Sequence, residues 1–165
     1  MPSLDKGDWV DCYRAWEKPL YNVVYRIVWD AAESQDIVQD AFLRCWQKRD
    51  RIRRDGFKAL IFKTALNLAR SRRRRGKLWR FVGLKAVDVD LSTDAGHGSL
   101  VPKALRAAID RLPQHLKDAL LLTEMAGMTY AEIAAALGIK EGTVGSRRTR
   151  ALEILRRRLD PEEPR

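Results

Sequence analysis

The chain has 165 residues, 45% apolar and 33% charged, with a formal net charge of +10 at pH 7; that length suits one medium domain or two small ones, and a basic excess attracts polyanions such as nucleic acid or an acidic protein surface. No run approaches the roughly 18 apolar residues of a membrane span, and MPSLDKGDW at the start has no apolar signal core, so a cytoplasmic protein without membrane insertion is expected. Cys12 and Cys45 sit in apolar helical patterns where packing explains them, so no disulfide framework is implied.

The charge is unevenly placed. Residues 1 to 85 hold 20 Lys and Arg against 10 Asp and Glu, and the remainder hold 12 against 12. From Trp9 to Trp29 the pattern predicts two helices, with Pro19 in the first turn of the second and Leu20, Val23, Val24, Ile27 and Val28 as its apolar stripe. The aromatic residues of this stretch, Tyr21 and Tyr25 among them, read as core and rim. A further helix starts with Ser34 as N-cap. Its apolar face is Ile37, Val38, Ala41, Phe42, Cys45 and Trp46, leaving Asp36, Gln39, Asp40 and Arg44 outside. The charged run Lys48 to Arg54, followed by Asp55 and Gly56, reads as a loop.

Phe57 to Arg75 is the next strong helix, with Phe57, Leu60, Ile61, Ala65 and Leu68 inward and Lys58, Lys63, Asn67 and Arg70 off that face. It ends on Arg72, Arg73, Arg74 and Arg75. Cations suit a helix C-terminus, but four in succession repel one another unless phosphates lie nearby. After Gly76 periodicity is lost, and Asp88, Asp90 and Asp94 lie among Gly and Ser, the composition of a linker. Pro102 opens one short helix and Pro113 another, with Leu116, Ala119, Leu120 and Thr123 as the inner face of the second.

Thr129 with Glu132 three residues on is a capping box. Ile133, Ala134 and Leu137 then form a stripe, Gly138 makes the turn, and Ile139 and Val144 carry the stripe into a last helix that stops at Pro161. Small Ala134 allows close approach of the two helices, leaving Ser146, Arg147, Thr149 and Arg150 on the free face. That is a helix-turn-helix whose second helix suits the major groove. The expected fold is therefore all-α: two small helical domains joined by a flexible linker, the second with a helix-turn-helix. The boundaries are 1–78, an acidic linker over 79–100, and 101–165. His97 and His115 have no ligand spacing around them, and no phosphate loop or nucleophile arrangement is present, so no metal, no cofactor and no enzyme activity are expected.

With these elements in place, the chain resembles the small two-domain bacterial sigma factors of the extracytoplasmic-function (ECF) group over nearly its whole length. Asp36-Ile37-Val38-Gln39-Asp40-Ala41-Phe42-Leu43 looks like the segment of region 2.2 that docks on the clamp helices of the polymerase β′ subunit. Phe57 through Asn67 looks like regions 2.3 and 2.4, which read and open the −10 element. Leu112-Pro113, Gly142-Thr143-Val144 and Ser146-Arg147 look like region 4, which reads the −35 element.

The resemblance implies a transcription initiation factor. Asp36, Gln39 and Asp40 would bind core RNA polymerase, and Asn67 with the loop Arg51 to Gly56 would capture an unstacked base. Arg70 and Arg72, Arg73 and Arg74 would hold phosphates of promoter DNA, while Ser146, Arg147, Thr149 and Arg150 would face the −35 groove. An anti-sigma factor is the further partner it implies. Four positions depart from the family's pattern: Leu60 stands where Trp is frequent, Ser71 where Asp is, Gly145 where Lys or Arg is, and Arg148 where an apolar residue is usual. The competing reading is a free-standing helix-turn-helix regulator, which leaves the acidic and amide face of Asp36 and Asp40 without a purpose.

Overall fold

The computed structural model describes residues 4–81 and 101–160, and among them are seven α-helices and no strand. Most of the expected acidic linker, with Asp88, Asp90, Asp94 and His97, lies outside the described residues.

Helix α1 (Lys6–Val28) starts at a capping box in which Asp5 accepts from the Asp8 amide at 2.7 Å. It runs unbroken through Pro19, where the sequence predicts a fresh start. An internal proline costs a helix about 3 kcal/mol, but both halves of α1 are anchored. Leu20, Val23, Val24 and Ile27 are buried after it, and before it Trp9 meets Phe42 and Phe57 with ring centroids 5.6 and 5.1 Å apart. Trp29 ends the helix in the left-handed conformation at φ 58°, and Asp30, not Ser34, caps α2 (Ala31–Gln47). Ser34 is instead fully buried, its hydroxyl donating to the Asp30 carbonyl at 2.6 Å. Two short 3-10 turns, Arg49–Arg51 and Arg54–Gly56, occupy the charged loop.

Helix α3 (Phe57–Phe81) continues past Gly76, because a glycine stops a helix only when it turns left-handed, and Gly76 has no positive φ. Its buried residues are Phe57, Ile61, Phe62, Ala65, Leu66 and Ala69, whereas Leu60 and Leu68, expected inside, are half-buried. The extra burial has a cause in the second domain, made of α4 (Lys103–Asp110), α5 (Gln114–Glu124), α6 (Tyr130–Leu137) and α7 (Glu141–Leu159). One apolar core runs from α1, α2 and α3 into Leu121, Leu122, Met128, Ile133, Ala136 and Val144, so the two halves are packed on each other. Within α6 the fully buried alanine is Ala136, with Ala134 half-buried, since α6 also packs on α3.

Polar contacts reinforce this junction. Lys58 donates to Glu132 at 2.9 Å, and Glu132 keeps its capping-box bond to the Thr129 amide, also 2.9 Å. Burial acts to raise the Glu132 carboxyl, but Lys58 and Thr129 together hold it below the ordinary carboxylate value. Asp110 accepts from Arg73 at 2.8 Å and from the Trp29 indole at 2.9 Å.

Lys117 was unexpected inside: it is 3% exposed, donating to the Asp110 carbonyl at 3.2 Å. Burial, aided by Arg73 and Lys77 and opposed by Asp110, lowers its pKa to about 8. Below pH 8 the amine is charged in folded and unfolded chains alike, and the full burial penalty is felt. Between about 8 and 10.5 the unfolded chain holds a proton the folded chain has released, so this group makes stability rise with pH there. Denaturant midpoints at pH 7.5 and 10 should therefore rise more in the natural chain than in Lys117→Met; parallel changes would mean that Lys117 stays charged when folded.

Candidate nucleic-acid interface

On α2 the apolar stripe of Ile37, Val38, Ala41 and Phe42 is buried, which turns the other side to solvent. Asp36 and Gln39 are exposed there, and half-buried Asp40 accepts from its neighbour Arg44 at 2.9 Å. Spacings of three and four residues put all three on one face.

Between α2 and α3 lies an open groove of about 710 Å³, lined among others by Asp40, Arg44, Lys48, Leu60, Thr64, Asn67 and Ser71. Asn67 is exposed at its wall, offering an amide donor and acceptor suited to a base edge. Leu60 and Ser71, two of the departures from the family pattern, line the same groove. Asp40 belongs to this groove and to the α2 face at once. The loop is placed differently from expectation: none of Arg51 to Gly56 lines the groove, Arg54 pairs with Asp8 at 2.7 Å, and Arg53 pairs with Asp55 at 3.2 Å.

A second groove, about 600 Å³, separates α1 from α2 and is lined by Tyr21, Tyr25, Gln35 and Gln39 among others. The Tyr21 and Tyr25 rings are stacked 5.9 Å apart. The signal for this groove in the sequence is two tyrosines four residues apart, one position off the apolar stripe.

The arginines of α3 divide into two groups. Arg74 is exposed and Arg72 half-buried, 3.9 Å from Glu33. Arg70 and Arg73 turn toward the second domain. Arg70 pairs with buried Asp118, and its Nε is buried without a partner among the described residues. Burial, then Arg74, lower its pKa. Arg73 donates to the Ile27 carbonyl at 2.9 Å and to Asp110 at 2.8 Å.

In the helix-turn-helix the capping box forms as expected, and Gly138 makes the turn at φ 67°. Ser146, Thr149 and Arg150 are exposed and Arg147 is half-buried on α7. The Ser146 hydroxyl donates to the Thr143 carbonyl at 3.1 Å, and Arg150 pairs with Glu153 at 3.1 Å. Arg148 points away from them, donating to Glu124 at 2.5 Å. Gly145 has a steric reason: a Cβ there would lie 3.2 Å from Cε2 of Tyr130, whose ring lies against α7 at that point.

Residues 12–78 match the family model for sigma-70 region 2, and residues 103–155 match the one for sigma-70, region 4. The chain is 29% identical over 162 residues to the ECF RNA polymerase sigma factor SigE of Mycolicibacterium smegmatis, covering 94% of this chain and 61% of that protein, so it spans less than two thirds of SigE. It is 32% identical over 152 residues to the ECF RNA polymerase sigma factor SigL of Mycobacterium tuberculosis, covering 83% of this chain and 80% of that protein. In fold it is similar to the sigma factor RpoE in complex with the anti-sigma factor NepR from Bartonella quintana, with a TM-score of 0.72 at 24% identity over 94% of this chain and 99% of that one. CnrH in complex with the cytosolic domain of CnrY is similar too, with a TM-score of 0.71 at 22% identity over 96% of this chain and 92% of that one.

The contact between Gly145 and Tyr130 sets an expectation for stability. Alanine is favoured over glycine in a helix by about 1 kcal/mol, but at 145 that gain is opposed by displacement of the Tyr130 ring. Gly145→Ala should stabilise the chain by about 1 kcal/mol more in a Tyr130→Ala background than in the natural one. A coupling near zero in that double-mutant cycle would show that the ring yields freely.

Proposed function

Because the chain belongs to the ECF RNA polymerase sigma factors, we propose that it binds core RNA polymerase and directs it to promoters by reading −10 and −35 elements. The observation that carries this reading is the adjacency on one helix pair of an open acidic and amide face, Asp36, Gln39 and Asp40, and the Asn67 groove. Docking of polymerase on the α2 face sets the α2–α3 groove beside the duplex being opened. A base leaving the stack then meets the Asn67 amide, with Arg72 and Arg74 near its phosphates. The second domain presents Arg147 and Arg150 with Ser146 and Thr149 to the major groove, where arginine matches the two acceptors of guanine.

The setting is the cytoplasm; among the described residues no helix is long and apolar enough to cross a membrane. An anti-sigma factor is the further partner, a reading supported by the anti-sigma partner named for RpoE of Bartonella quintana. A free-standing regulator would need the second domain to supply specific affinity alone. Residues 101–165, however, hold 12 Lys and Arg against nine Asp and Glu, a small excess that means little counterion release. Footprinting on genomic fragments tests the reading: specific protection should appear only with core polymerase present, and strong protection by the protein alone, unchanged by core, would refute it.

Two further outcomes divide the site residues. Asp36→Lys with Gln39→Ala should abolish binding to core polymerase while the melting temperature stays within a few degrees of the parent, because both side chains stand off the buried face. Core affinity unchanged in the folded variant would remove the docking role. Arg147→Ala should weaken promoter use by about 1 to 3 kcal/mol and relax preference in the upstream element only, whereas Arg74→Ala should weaken all sequences alike and reduce the salt slope by about 1. Identical behaviour of these two across a promoter panel would overturn the division into base-reading and phosphate-holding residues.

A further inference from the structure

Gly145 stands at the edge of the row of α7 that carries Ser146, Thr149 and Arg150. At about 100° per residue, Thr149 lies about 40° from it on the side of that row and Arg148 about 60° away on the other side. The bare backbone at Gly145 is covered by the Tyr130 ring, from the first turn of α6: a Cβ at 145 would lie 3.2 Å from its Cε2 and 3.9 Å from its Cδ2 and Cζ. We propose that Tyr130 is a specificity-determining residue for the upstream promoter element: seated on Gly145, its ring takes the place of a side chain there and reads the methyl group of a thymine. The proposal rests on the reading of the helix-turn-helix as the sigma-factor element that faces the −35 groove.

The seat is built by the backbone. The capping box of Thr129 and Glu132, with bonds of 2.9 and 3.2 Å, fixes the turn that carries Tyr130, and α6 packs on α7. A tyrosine has only two side-chain torsions to lose, so a ring placed in this way costs little entropy to hold at an interface. The ring is also open: Tyr130 is 40% exposed, one of the few large side chains of its kind that the described residues leave to solvent.

Its polar end is engaged elsewhere. Arg148 donates to Glu124 at 2.5 Å. That bond and the Glu124 charge raise the Arg148 pKa, burial opposes them, and the nearby Tyr130 hydroxyl adds a smaller rise. With the phenol oxygen turned to Arg148, what the ring offers to DNA is carbon. On the base edges of the major groove the apolar group is the thymine methyl. A Lys or Arg at 145 would instead bring donors suited to guanine or a phosphate. Gly145 therefore changes which base is preferred and does not merely delete a contact.

The test uses the full chain assembled with core RNA polymerase and a duplex library randomised over the upstream element. The natural chain should select thymine at one position. Deoxyuridine there, which removes only the methyl, should weaken binding about fourfold, equivalent to about 0.8 kcal/mol for one buried carbon. Tyr130→Phe should keep that penalty, and Tyr130→Ala should lose it while retaining the preference set by Arg147. If Tyr130→Ala does not fold, Gly145→Arg supplies the second arm: it fills the seat, and the selected base should change from thymine to guanine. Thymine retained in Gly145→Arg would overturn the proposal. So would a deoxyuridine penalty that persists in Tyr130→Ala, since Thr149 would then be the reader. Uniform weakening of all sequences by both Tyr130→Phe and Tyr130→Ala would also overturn it, because the hydroxyl would then be holding a phosphate. A library left unselected with core present would refute the sigma-factor reading as well, whereas selection with no methyl effect refutes this proposal alone.

Discussion

The carboxylate of Asp110 gathers the charges on which the rest of the arrangement depends. It stands at the end of α4 and accepts from Arg73 and from the Trp29 indole, with Lys117 3.9 Å away. Two of these partners carry strain or burial that would be unfavourable alone. Trp29 is held in the left-handed conformation, uncommon for a residue with a Cβ, and Lys117 is buried as a cation. The same anion lies against both: it accepts hydrogen bonds from Arg73 and the Trp29 indole, with the Lys117 ammonium 3.9 Å off, the pairing that a partly buried carboxylate needs. Removal of any member leaves the others worse off, which is why the junction behaves as a unit.

Helix geometry explains how α3 can serve three neighbours. At about 100° per residue, Phe57, Ile61, Ala65 and Leu68 fall in one sector, toward α1 and α2. Lys58 and Arg70 bound a second, and Phe62, Leu66, Ala69 and Arg73 lie on the arc between them. Leu60, Thr64, Asn67 and Ser71 share the third, which lines the open groove. Sectors spanning about 80°, 120° and 60° take up most of this helix's surface, with exposed Lys63 and Arg74 in the widest gap between them. The groove with Asn67 therefore stays open while Arg70 and Arg73 are covered: the amide and these two guanidiniums belong to different faces of one helix.

This division marks where the sequence was legible and where it was not. Features set within a few residues were readable: the Thr129 and Glu132 capping box, the left-handed Gly138, the exposed Asp36 and Gln39, and the outward row of Ser146, Thr149 and Arg150. Features set by a distant part of the chain were not. Phe62, Leu66 and Ala69 lie outside the stripe expected to face inward and are buried all the same, because that stripe matches one neighbour and α3 has two. Pro19 looked like a helix start because its local penalty is plain, whereas the ring contacts of Trp9 with Phe42 and Phe57 that hold the preceding turns are tertiary. Gly145 looked like a loss of charge; the Tyr130 ring lying across it is a contact over 15 residues of chain. The arginine run looked like a helix end, yet α3 continues to Phe81, and acids elsewhere in the same chain take up part of the charge.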